Sequence, residues 1–205
     1  GNDEVLYAIE ADTGEETWQF ALEGPMNYGP AVVDGVAYVG TNFGYMYAIG
    51  GGEAEGTPPG DATSAIPGAT TGLAEFVWQV GQDDGLSGQP FDVTVAPDGT
   101  IWTMAGVLHL IDPDGSIIET WTPSDPSITT EFSEGAIHFD QEGNLYIVDT
   151  PNHRVLKFGP DRELMLSWGS QGSGDGQFEQ ASDLVIDSEG NVYIVDAMLQ
   201  RIQKF

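Results

Sequence analysis

The chain has 205 residues, with 5 Lys and Arg against 33 Asp and Glu, for a formal charge of −28. That charge repels phosphate backbones and anionic lipid, so nucleic acid and polybasic membrane docking are excluded as expectations. No apolar run approaches the length of a membrane span, so no membrane insertion is expected, and residues 1–20 carry charges throughout with no apolar core of a signal peptide.

The length is enough for a sizeable core, which buries about 70% of the unfolded surface at this size. Cysteine is absent, which removes disulfides, thiolate metal sites and cysteine nucleophiles. The surplus of acids over lysines fits a surface kept soluble by like charge, with adaptation to salt as the alternative, and an extracellular, cell-surface or periplasmic location is the expectation.

In chain order the apolar residues form short runs dense in Val, Ile, Tyr, Phe and Trp, punctuated by Gly, Pro, Asp and Asn. Ala31–Val33, Val36–Gly40, Tyr45–Ile49, Phe76–Val80, Leu145–Asp149, Val155–Phe158 and Val192–Asp196 are the clearest. This is strand-and-turn patterning, and it predicts an all-β chain.

The runs repeat. Tyr7-Ala8-Ile9 aligns with Tyr47-Ala48-Ile49, 40 residues on, and Trp18 aligns with Trp78, 60 residues on. The difference lies in 50–75, rich in Gly, Ala, Thr and Pro, which reads as a surface insertion. In the C-terminal half, 136–158 matches 182–205 at an offset of 47: Gly143 to Gly190, Tyr146 to Tyr193, Asp149 to Asp196, Arg154 to Arg201 and Phe158 to Phe205. An earlier copy, 91–115, sits 44 residues before 136–158 at Gly99 and Trp102.

Periods of this length with several strands each predict propeller blades, because a small sheet covers its faces only by stacking on neighbouring sheets. The expected fold is one β-propeller domain over 1–205, of four-stranded antiparallel blades, about four to five in this chain. Its parts are a partial blade 1–22, a blade 25–80 carrying the insertion, blades 88–122 and 135–169, and a partial blade 178–205. Counted in strands these are two, four, four, four and three. A ring not closed by this chain alone is therefore expected, either as part of a longer protein or with a neighbouring chain completing its edges.

DSEGNVYIVD (187–196), DQEGNLYIVD (140–149), GSGDGQF (172–178) and NHRVLKF (152–158) carry a resemblance to NHL repeats. The unit at 91–121 departs from it, with Ala105 where the others have Asp149 and Asp196. IEADTGEETW (9–18) and PAVVDGVAYVGTNFGYMYAI (30–49) are similar to pyrroloquinoline-quinone-type propeller repeats. Both resemblances imply a propeller.

Trp18, Trp78, Trp121 and Trp168 fall at equivalent places in the last strand of successive units, where an indole is expected to pack on the neighbouring blade. Asp149 with Arg154, and Asp196 with Arg201, read as hydrogen-bonded ion pairs holding the loop between second and third strands; a ring of charges lining a ligand site is the alternative.

His109, His138 and His153 fall on a third strand, a first strand and a loop, so no converging metal set is expected. Asp112 and Asp114 offer oxygen ligands that calcium takes, although turn chemistry accounts for them without an ion, and no other cofactor is expected.

The functional expectation is a non-enzymatic propeller that takes protein partners, or forms a homo-oligomer or polymer, through loop faces and blade edges, with strand sharing between chains as one form. The alternative is a fragment of a quinone-dependent dehydrogenase or an NHL-type lyase.

Overall fold

The computed structural model describes residues 4–26, 28–50, 75–125, 128, 132 and 134–205. Nearly the whole insertion read at 50–75 lies outside these residues.

Among the described residues the chain is all-β, with only two three-residue 3-10 turns at Gln82–Asp84 and Thr150–Asn152. Five antiparallel sheets follow in chain order. The first pairs β1 (Val5–Ile9) with β2 (Glu16–Ala21). The second is the meander β3 (Ala31–Val33), β4 (Val36–Gly40), β5 (Met46–Gly50) and β6 (Glu75–Val80). The third is β7 (Asp92–Val95), β8 (Ile101–Ala105), β9 (Val107–Ile111) and β10 (Ile117–Trp121). The fourth is β11 (Ile137–Phe139), β12 (Leu145–Asp149), β13 (Arg154–Phe158) and β14 (Leu164–Trp168). The last is β15 (Ala181–Ile186), β16 (Val192–Asp196) and β17 (Arg201–Lys204). The strand numbers per sheet are those the repeats predict.

Tight turns join the strands because Asp and Gly stand where the chain must reverse. Asp98, Asp114, Asp140, Asp161 and Asp187 each accept the backbone N–H two residues on. This side-chain mimic of a turn is what short acidic residues supply.

The core lies between sheets and not within any one of them. Leu6 and Phe20 of the first sheet pack on Ala37, Val39, Tyr47 and Ile49 of the second. Met46, Ala48 and Trp78 pack on Val93, Ile101 and Ile111 of the third. Trp102, Met104 and Leu110 pack on Leu145, Ile147 and Phe158 of the fourth. Tyr146, Val148 and Val155 pack on Leu184, Val192 and Ile194 of the last. Each inner sheet therefore buries both faces, which is why β5, β8 and β12 are buried throughout and apolar except at Thr103 and Asp149.

The first strands of the sheets come together: β3 touches β7, β7 touches β11, and β11 touches β15. They form the hub from which the sheets fan.

Candidate functional site in the hub

The four hub strands line a half-open cavity of about 380 Å³. Its polar wall is Asp92 of β7, His138 of β11 and Asp183 of β15, set among Val32, Thr94 and Leu184. The strands deliver these side chains by register. Asp92 and Asp183 each stand seven residues before the turn glycine of their unit, Gly99 and Gly190. Each carboxylate accepts the N–H of the next residue, Val93 at 2.9 Å and Leu184 at 2.8 Å. The fourth sheet has Ala136 at that position, so only two of three units carry the acid.

Asp92 also reaches across to the next sheet, where its Oδ2 accepts the N–H of Ile137 at 2.8 Å. Burial pushes its pKa up to about 7; the two N–H donors oppose that shift and the charge on Asp183 adds to it. Neither Asp92 nor Asp183 meets a Lys or Arg within ion-pair distance among the described residues. Burial pushes the His138 imidazole down, against the pull of Asp183 and Asp140. Tyr28 stands edge-on to Phe91 at 6.2 Å, its phenol pushed up by burial and then by Glu134 and Asp92. At neutral pH the hub holds a carboxyl group near its midpoint and a neutral imidazole, an arrangement that can hold or pass a proton or receive a cation.

The histidines do not meet. His109 is buried in β9 against Ser87, whose Oγ lies 2.9 Å from Nε2. His153 sits in the β12–β13 loop at φ 54°, and only His138 faces the cavity. No group of three or more His, Asp or Glu side chains among the described residues is placed to hold a metal ion. Asp112 and Asp114 lie in the β9–β10 turn: Asp114 accepts the Ser116 N–H at 2.8 Å, and Gly115 donates to the Asp112 carbonyl.

The two expected ion pairs divide. Arg154 Nε meets Asp149 Oδ2 at 2.8 Å, and Asn152 donates to Oδ1 of the same carboxylate at 2.8 Å. Arg201 instead donates to the carbonyls of Ser173, Gly174 and Gln177. Asp196 accepts the N–H groups of Glu179, Gln180 and Leu199. The expected Asp196–Arg201 hydrogen-bonded pair is thus corrected to two backbone anchors, although the charge of Arg201 still acts on the Asp196 carboxylate. The glycine-rich loop 172–177 offers three carbonyls to the guanidinium, and Leu199-Gln200 supplies no counterpart of the Asn152 amide.

The four tryptophans at the shared repeat position, Trp18, Trp78, Trp121 and Trp168, all lie on outermost strands. Trp78 donates its indole N–H to the Pro113 carbonyl of the next sheet at 2.8 Å. Trp121 meets Phe158 edge-on at 5.2 Å, and Trp168 lies 5.9 Å from Phe205. Trp18 packs partly buried against the second sheet.

Neither a protein-family profile nor a curated relative matches the chain. Solved structures do. A streptogramin B lyase aligns at a TM-score of 0.64 and 14% identity, over 99% of this chain and 58% of its own. BamB from Moraxella catarrhalis aligns at 0.54 and 15%, over 100% of this chain and 59% of its own. The dihydro-heme d1 dehydrogenase NirN aligns at 0.62 and 12%, over 100% of this chain and 40% of its own. The chain has the β-propeller fold. At these identities the likeness shows the fold alone, and the chain spans roughly half the length of these propellers.

Proposed function

We propose that this propeller is a non-enzymatic protein-interaction module, exported or held at the cell surface, which works through its end sheets. One observation carries the reading: the end sheets expose residues whose repeat equivalents are fully buried. Tyr7 and Ile9 are 44% and 63% exposed, while Tyr47 and Ile49 are at 0%. Ile202 is 66% exposed, while Val155 is at 0%. Elsewhere among the described residues the equivalent face takes a neighbouring sheet, and an apolar face of this kind is one that a protein partner can cover. The Asp…Arg spacing and the shared turns support an NHL-type origin for the C-terminal units, and the Tyr-Ala-Ile and Trp-Gln repeats a quinoprotein-type origin for the N-terminal ones.

A photoreactive residue placed at position 202, with position 165 as control, tests this in extracts of the native source. Met165 is equally open, at 60%, but lies on a completed sheet. Position 202 is expected to give a discrete cross-linked partner that position 165 does not. Equal yields at the two positions would refute the reading.

The hub favours a second reading. An Asp92 carboxyl that titrates near neutrality in a cavity that His138 also lines is what proton-transfer chemistry uses, and it fits a portion of a lyase or dehydrogenase propeller. Metal analysis and an absorbance scan of native material test it: bound metal or quinone supports the enzyme reading, and a clean result on active material removes both versions.

A further inference from the structure

The hub sets acids on a cavity wall where the five Lys and Arg of the sequence do not meet them. Arg154 pairs with Asp149, Lys157 with Asp140 and Arg162 with Glu119. Arg201 is held by three loop carbonyls, and Lys204 lies 5.2 Å over the Tyr193 ring.

Blade architecture does not call for both acids. The fourth sheet has Ala136 at the same repeat position and still builds its hub strand. Asp92 has a structural duty, since its two oxygens accept from Val93 and Ile137. Asp183 has no such duty across sheets. Its Oδ1 accepts the N–H of its own neighbour Leu184, and among the described residues no bond reaches Oδ2. Its charge nevertheless acts on both Asp92 and His138, so the three groups share one space. No hydrogen bond contributes to the state of the His138 imidazole.

The remaining wall includes the apolar side chains of Val32, Val95 and Leu184. A volume of about 380 Å³ suits a small molecule. A metal ion asks for three or more ligands in one place, and no such group is found among the described residues. An ammonium group asks less: it donates three hydrogen bonds, and a carboxylate or a neutral imidazole accepts them. Seated beside a carboxylate that lacks a counter-charge, it would also offset the cost of that carboxylate's position.

We propose that the hub cavity binds a small organic cation, a primary amine on a short apolar body. Asp183 and His138 receive the ammonium group, Asp92 adds its attraction, and Val32 and Leu184 meet the apolar part. This depends neither on the end-sheet reading nor on proton transfer at Asp92.

Cyclohexylmethylamine is the probe, and cyclohexylmethanol, of the same shape without the charge, is its control. Each is titrated into the full chain and followed on the three imidazole proton resonances. Saturable one-to-one binding of the amine is expected, with a dissociation constant of about 1 mM or tighter. The His138 signal is expected to move while those of His109 and His153 stay. Asp183→Asn is expected to weaken binding about tenfold, through loss of a charge-assisted hydrogen bond. Glu163→Gln removes the same unit of charge from the exposed β13–β14 turn and is expected to leave binding within about twofold.

A charge of −28 attracts amines to the whole surface, and a site differs from that general field in these comparisons. Equal binding of the alcohol, equal weakening by the two variants, or a His138 signal that does not move overturns the proposal. Should Asp183→Asn not fold, the amine-to-alcohol comparison and the three imidazole signals still decide. A failure here leaves the interaction reading to the cross-link at position 202, and the enzyme reading to the metal and quinone tests.

Discussion

Asp92 joins two sheets through one carboxylate, and the cost of that position appears in its proton affinity. Its pKa is raised from an ordinary 3.8 to about 7, chiefly by burial. Below pH about 4 the group is protonated in both folded and unfolded chains and contributes nothing to the balance. Between pH about 4 and 7 the unfolded chain releases the proton that the folded chain retains, so stability contributed at this site falls as pH rises. Above about 7 the deficit is constant. Asp92→Asn should therefore flatten the difference in urea-unfolding free energy across that window. At the acid end of that window it should cost about 1 kcal/mol, because the amide NH2 replaces one of the two oxygens that accept from Val93 and Ile137, and that cost should shrink as pH rises toward 7, where the wild type carries the burial penalty of the charge. A variant that tracks the wild type in parallel from pH 4.5 to 8 would show that Asp92 does not titrate there. Asp187 lies at the other extreme: bonds from Asn191 above all hold its pKa down to about 2, so its contribution is present above pH about 4 and is lost as pH falls from there to about 2.

At the scale of the element, turns and strands were legible in the sequence because they depend on neighbours in the chain. Asp-Gly pairs, alternating β-branched residues and the 47-residue offset located the strands to within a residue or two. What depends on a different sheet was not legible. Gly115 reads as an ordinary turn glycine, yet it lies buried at φ +92°, and a Cβ there would stand 2.8 Å from Cγ of Trp78 in the preceding sheet. Gly115→Ala is expected to destabilise by about 1–3 kcal/mol, through the left-handed backbone and the displaced indole together. Urea denaturation should show a lower midpoint with an unchanged slope; an unchanged midpoint would mean that the turn withdraws freely from Trp78. The hub escaped for the same reason. Asp92 and Asp183 share a repeat position that a search for symmetric Asp…Arg pairs passes over, and His138 acquires its neighbours only when the sheets converge. Arg201 shows the converse: a repeat position carried an expectation that a local loop, 172–177, overruled.

At the scale of the molecule, the core is a series and not a ball. Four apolar clusters lie between five sheets, and none of them joins the first sheet to the last among the described residues. Stability in such a series is a sum of sheet and nearest-neighbour terms, so an element supported on one side opens more readily than one supported on two. β8, β9, β12 and β13 sit in sheets packed on both faces, whereas β1–β2 and β15–β17 each have one packed face. Hydrogen exchange should accordingly be slowest across the central strands of the three inner sheets, β4, β5, β8, β9, β12 and β13, faster in β15–β17, and fastest in the two-stranded β1–β2, since a lone hairpin is marginal in water. Uniform exchange across all five sheets would mean that the chain opens as one cooperative unit, and the serial account of its stability would have to be given up.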